Sequence, residues 1–139
     1  MAARVELRGL DEFRRAMRSL PSHLAQEALA IVDAHSEEAT RLISDGYPEG
    51  PTGNLKRGVR RNLVSSRFGG SAVVRSRAPH ASIFEHGTER RTTDKGYNRG
   101  AMPQPDERER FIPKAIRIRR RMVAALTDML RRNGFQVDL

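Results

Sequence analysis

Two histidines and a glutamate fall close together at His80, Glu85 and His86, the residue types that hold zinc or move protons. Their spacing, H-x-x-x-x-E-H, is neither the H-E-x-x-H nor the H-x-x-E-H pattern of helical zinc sites. On a short extended segment the three side chains also alternate faces badly. They read as ordinary polar or interface residues, and no metal is expected. Gly69-Gly70-Ser71 lacks the G-K-[ST] ending and the following helix of a phosphate loop, so it reads as a hairpin turn. Ser65, Ser66 and Ser71 have no G-x-S-x-G context. Asp106, Glu107 and Glu109 lie in a stretch with no preorganised partner. A small basic ribonuclease could use Arg, His and Glu, but catalysis needs those groups held in a rigid shell. No such shell is legible, and no cofactor is implied. The residues argue against an enzyme.

The elements that would position any such group must come from 139 residues, enough for one domain (1–139) that buries about two-thirds of its unfolded surface. Aromatic residues make up only 5% and Trp is absent, so the core must be built from Leu, Ile, Val, Met and Ala around a few Phe. With no Cys, a disulfide scaffold, thiol catalysis and Cys-ligated zinc are excluded. No apolar run approaches the ~20 residues of a membrane span, and the N-terminus has no signal-peptide core. A soluble protein with no membrane partner is expected, not exported by that route. The net charge of +9 is almost entirely arginine, the lysines being Lys56, Lys95 and Lys114. That sign suits nucleic acid or an acidic protein surface, and equally a solvated surface.

Arg4–Arg8 alternates like a short strand, and Leu10, Phe13, Met17 and Leu20 then recur at helical spacing. Pro21 opens a second helix whose apolar stripe runs through Leu24, Ala28, Ile31, Val32, His35, Ala39 and Leu42, with Asp45-Gly46 as its stop. His35 reads as a satisfied, partly buried histidine. Gly46–Gly53 is loop. Val59–Ser66 and Ser71–Arg77 form an antiparallel hairpin, with Ala72, Val74 and Ser76 on one face and Val73, Arg75 and Arg77 on the other. One face packs; the other is wet or contacts a partner. Ala81–Glu85 fits a strand or a turn of helix. Residues 88–110 read as an extended flexible loop, usually functional at that length or ordered by a partner. Pro113 opens a final helix with apolar positions Ile116, Met122, Val123, Leu126, Met129 and Leu130, closed by Asn133-Gly134. Phe135–Leu139 fits a last short strand. The expected fold class is α+β: a small antiparallel sheet packed against an N-terminal helical pair and a long C-terminal helix, with long loop arms.

Arg90, Arg91, Lys95 and Arg99 make the first half of that loop basic, and Arg117, Arg120 and Arg121 crowd the start of the final helix beside Arg119. These are candidate partner or DNA contacts. The helical cluster fits a solvated face, an interface with acidic side chains, or a DNA-facing patch, and no aromatic residues are interleaved for base stacking.

Three short pieces then follow one another in an informative order. T-G-N-L-K-R-G-V (Thr52–Val59) resembles the T-G-x-L-[RK]-x-[SG]-[IV] signature of the tail-completion, or head–tail joining, family of long-tailed bacteriophages. H-A-S-I-F-E-H-G-T (His80–Thr88) resembles that family's Y-A-x-[YF]-[VI]-E-[FY]-G-T stretch. M-P-Q-P (Met102–Pro105) followed by F-I-P-K-A-I resembles its M-P-A-[QR]-P-F-[LI]-x-P-A-[LI] element. The matching positions are Thr52, Gly53 and Leu55 in the first piece, Ile83, Glu85, Gly87 and Thr88 in the second, and Pro103, Phe111, Pro113 and Ala115 in the third. This chain departs from the family where His80 replaces the usual Tyr, and where Asp106–Arg110 separates M-P-Q-P from its Phe. The resemblance implies a structural virion protein of the phage neck, assembled in the host cytoplasm. Such proteins form rings, commonly hexameric, that join the capsid's portal-side connector or stopper to the tail terminator or tail tube protein around the DNA channel. Non-specific contact with phage DNA is compatible with that role. Glu85 and Thr88 would then anchor the turn that positions the long loop. The alternative is a small basic nucleic-acid-binding protein or toxin-like ribonuclease.

Overall fold

A computed structural model describes residue 15, residues 22–66 and residues 69–138 of the chain. The expected strand at Arg4–Arg8, the first helix apart from Arg15 (helical and exposed) and the hairpin tip at Arg67-Phe68 lie outside the described residues. Within them the chain is α+β, as the periodicities predict. Helix α1 (Ser22–Gly46) leads into a short α2 (Asn54–Gly58), then the hairpin β1 (Val59–Ser66) and β2 (Gly69–Ser76). A short α3 (Ala81–His86), a second hairpin of β3 (Thr88–Thr92) and β4 (Asn98–Met102), and the long α4 (Phe111–Arg132) complete it.

α1 runs uninterrupted because nothing between Ser22 and Gly46 breaks a helix, and its hydroxyls are satisfied within it. Ser36 Oγ donates to the Asp33 carbonyl and Thr40 Oγ1 to the Ser36 carbonyl, both at 2.8 Å. His35 Nδ1 lies 2.8 Å from the Ile31 carbonyl, the local partner expected of a half-buried histidine. The buried face differs from the expected stripe by one position at its end: Ile43 is fully buried, while Leu42 is 38% exposed. Helical rotation of about 100° per residue makes such neighbours exclusive alternatives for the core face.

β1 and β2 pair antiparallel in a straight register from Val59 opposite Ser76 to Ser65 opposite Gly70. As expected, alternation sends Val74 inward onto the core, while Val73, Arg75 and Arg77 face out. The inner face lies on α1, where Arg61 pairs with Asp33. α4 packs along α1, and two ion pairs bridge them, Arg121 with Glu38 at 2.9 Å and Arg132 with Glu27 at 3.0 Å.

Four further expectations are corrected. Residues 88–102 are a β-hairpin rather than an extended loop, with Thr88 opposite Met102, Arg91 opposite Gly100, and register shifts between. α4 starts at Phe111, two residues before Pro113, which sits in the first turn where its missing N–H costs little. On α4 the expected Leu126, Met129 and Leu130 are buried and Ile118, 4% exposed, joins them, whereas Ile116 and Val123 are 46% and 39% exposed. Residues 135–138 form no strand; Phe135 and Val137 pack beside the helix ends instead.

Among the described residues the core forms two clusters. One joins Ala39, Ile43, Tyr47, Val59, Phe84 and Ile118; the other joins Ala28, Leu126, Met129 and Leu130. Replacing Ile43 with Ala is expected to cost about 2–5 kcal/mol, while Leu42→Ala, at the next position, costs about 1 kcal/mol or less. Urea denaturation of the two variants checks the assignment, and equal losses would overturn it.

Candidate functional site

α4 begins with backbone N–H groups that have no partner within the helix. Its N-cap, Arg110, makes no side-chain capping bond, and no acid lies in the first turn. The acceptor comes instead from α3. Glu85 is 5% exposed; its Oε2 accepts the Phe111 N–H at 2.7 Å and its Oε1 the Ile112 N–H at 2.9 Å. Both oxygens are therefore engaged by amides at the positive end of the helix dipole. This geometry closes the chain between residues 85 and 111 into a loop with a fixed neck.

The neck is tightened at Gly87 and Thr88. Gly87 adopts φ 71°, and a Cβ there would lie 2.7 Å from Gln104 N and 2.8 Å from Met102 O. Only glycine fits both the dihedral and the space. Thr88 Oγ1 accepts the Met102 N–H at 3.3 Å, and Gln104 Nε2 donates to the Glu85 carbonyl at 3.3 Å. The second and third of the three sequence pieces are thus interlocked. Glu85 binds the start of α4, and Gly87-Thr88 abuts Met102-Pro103-Gln104.

The first piece joins them through the core. Gly53, at φ 63°, precedes α2, its carbonyl accepting the Arg57 N–H at 3.1 Å; Arg57 also reaches the exposed Thr52 carbonyl. Ser44 Oγ donates to the Lys56 carbonyl at 3.1 Å and ties α2 to α1. Leu55, Phe111 and Ala115 all pack against the cluster containing Phe84. Ile83 and Pro113 are half-buried, and Pro103 is exposed.

Two ionisable side chains register the burial of this junction. Tyr47 is 2% exposed, and its ring meets Phe84 edge-on with centroids 5.3 Å apart. Burial first and the Glu85 charge second push its phenol up to about 12. Lys114 is pulled below its ordinary value by burial, against the opposing pull of Glu109 and Glu85. Its Nζ is buried with no hydrogen-bond partner among the described residues, filling the space that a Cβ at Gly46 would occupy.

The histidines flanking Glu85 do not join it in a ligand set, since His80 and His86 are exposed while the carboxylate is turned onto α4. Among the described residues no three His, Asp or Glu side chains gather in metal-binding geometry. A cleft of about 310 Å³ opens beside the junction, lined by Tyr47, Val74, Glu85, His86, Phe111 and Ile112 among others.

The basic candidates scatter. Arg90, Lys95 and Arg99 are exposed on the second hairpin, and Arg91 is half-buried with its Nε unpartnered among the described residues. Arg117 and Arg120 are exposed on α4, but Arg121 is committed to Glu38 through both carboxylate oxygens. Tyr47 and Lys114 escape a reading of the sequence because their importance lies in burial. The chain matches no model of a known protein family, no curated protein and no solved structure.

Removing the clamp carboxylate in Glu85→Ala is expected to cost about 3 kcal/mol, two charge-assisted hydrogen bonds at about 1.5 kcal/mol each. Chemical denaturation reads this directly, and a loss below about 1 kcal/mol would show that α4 finds another cap. A second outcome follows from Tyr47. Since the folded state keeps the phenol proton after the unfolded state has lost it, stability falls between about pH 10 and pH 12. Tyr47→Phe removes that alkaline loss, and Glu85→Gln lowers the phenol's midpoint in an ultraviolet titration; an unchanged midpoint would mean burial acts alone.

Proposed function

We propose that this chain is a structural subunit of the neck of a long-tailed bacteriophage, one segment of a ring that joins the capsid's connector to the tail around the DNA channel. The observation that carries the reading is the Glu85 junction. Glu85 and Thr88 of the second family motif hydrogen-bond to Phe111, Ile112 and Met102 of the third, and Leu55 of the first packs on the core cluster that holds Phe84. Interlocking of this kind is what a shape-determining signature requires. It fixes where the second hairpin leaves the body, and so where an arm would meet a neighbouring subunit. Exposed apolar side chains add support. Ile112, Ile116 and Val123 are 45%, 46% and 39% exposed along α4, side chains that a subunit can cover on assembly.

In this reading the partners are further copies of the chain, a portal-side connector or stopper on one side, and a tail terminator or tail tube protein on the other. Ring contacts are heterologous and close by rotation, and the commonly hexameric family ring sets the expected number. No bond-making step is assigned. A ribonuclease reading has less to stand on, because Glu85 is occupied by helix amides and the histidines beside it are exposed.

Native mass spectrometry is expected to find a discrete ring, or a monomer that rings only when the connector is added. Particles assembled without the protein are expected to carry full heads and no tails. Tailed, infectious particles in its absence would sink the proposal.

A further inference from the structure

The outer face of the β1–β2 hairpin carries an arrangement that the folded body does not explain. Arg60 on β1 lies directly opposite Arg75 on β2. Like charges facing each other across two strands weaken the pair. Arg77 follows two residues on, just past the end of β2, where its N–H donates to the Gly58 carbonyl at 2.9 Å. All three side chains are exposed, and none forms an ion pair among the described residues. Arg61, which points to the other face, does find a carboxylate in Asp33. Arg60, Arg75 and Arg77 line a recess of about 330 Å³ together with Asn62 and part of Arg61.

We infer that this recess is a docking site for the phosphate backbone of a nucleic acid, with Arg60, Arg75 and Arg77 as the phosphate ligands and Asn62 as a neutral donor. The inference stands apart from the neck reading. Several guanidiniums gathered with no carboxylate among the lining side chains suit a polyanion whose charges repeat closely along one chain, as phosphodiesters do. The surrounding side chains, Val64 and Val73, are 52% and 51% exposed and contribute no aromatic ring for a base to stack on. Contact is therefore to the backbone, and sequence-independent. The chain's charge of +9 raises the local concentration of any polyanion around it.

Fluorescence anisotropy with a labelled mixed-sequence duplex, over about 50–200 mM salt, tests this. Three phosphate contacts contribute a slope of about −2.7 in log K against log salt. The triple variant R60Q/R75Q/R77Q is expected to lose that slope and bind about tenfold more weakly or worse. R60K/R75K/R77K is expected to keep most of the slope. R41Q/R108Q/R131Q, which removes the same charge elsewhere, is expected to keep nearly all of it. Should the triple glutamine variant fail to fold by circular dichroism, V73E places one negative charge on the same exposed face and is expected to weaken binding about tenfold. Equal losses in the two triple glutamine variants would overturn the site, as would V73E binding like the parent. Tighter binding to polyglutamate than to DNA, with the same arginine dependence, would overturn the phosphate assignment in favour of an acidic protein.

Discussion

The first turn of α4 presents amide N–H groups that the helix cannot satisfy, and the chain meets them with a carboxylate from 26 residues earlier. Burying Glu85 would be costly if its charge were unmatched. Two short hydrogen bonds and the helix dipole offset that cost, but only while Phe111 and Ile112 stay where they are. The contact therefore acts on topology as well as on energy. Once it forms, residues 85 and 111 are pinned together, and everything between must leave and return through one neck. Closing so long a loop adds little entropy beyond closing a shorter one, so the second hairpin can be extensive without destabilising the body.

The same junction organises the packing around it. Tyr47 seals the Glu85 side with a ring against Phe84, and α2 is tied to α1 by the Ser44 hydroxyl. Ile43 is wholly buried in this cluster, as Met129 is in the other, where α1 and α4 meet farther along. The Arg121–Glu38 and Arg132–Glu27 pairs bridge the seam between those helices. Exposed pairs of this type contribute little stability, and their use is to favour one register of α4 on α1 over its neighbours. The residues that carry the fold and those that carry the motifs are therefore the same set near α3.

Much of this is readable from the residues. The α1 and α4 periodicities, the β-prone run Val59–Ser66 and the alternation from Ser71 onward are local signals, and the second strand occupies Gly69–Ser76. The face assignment of Val73, Arg75 and Arg77 follows from period two alone. What is not readable depends on distance in space. Leu42 and Ile43 show why: both are apolar, and only the neighbours of α1 decide which one is buried. α4 likewise carries two apolar lines, Ile112–Ile116–Val123 and Ile118–Met122–Leu126, and a single sequence does not rank them. The second hairpin is invisible because T-E-R-R-T and N-R-G-A-M hold almost no apolar alternation; the neck at Gly87 and Met102 pairs them. Glu85 stands out by motif, yet its partner is hidden, since a cap is normally sought within one turn of the helix it serves.

The charge distribution obeys the same division between inside and outside. Arg61, Arg121 and Arg132 reach across the fold to carboxylates of α1, where Asp33, Glu38 and Glu27 receive them. That helix thereby offsets part of the basic excess. Much of the rest is displayed outward, Arg60, Arg75 and Arg77 beside the first hairpin, Arg90 and Arg99 on the second, and Arg117, Arg119 and Arg120 on α4. A surface arranged this way has little internal use for its arginines, and their repulsion is a standing cost to the isolated fold. In the proposed ring that cost is relieved by whatever anion the assembled neck brings to those faces, so the feature that weakens the lone subunit gives the assembly its complementarity.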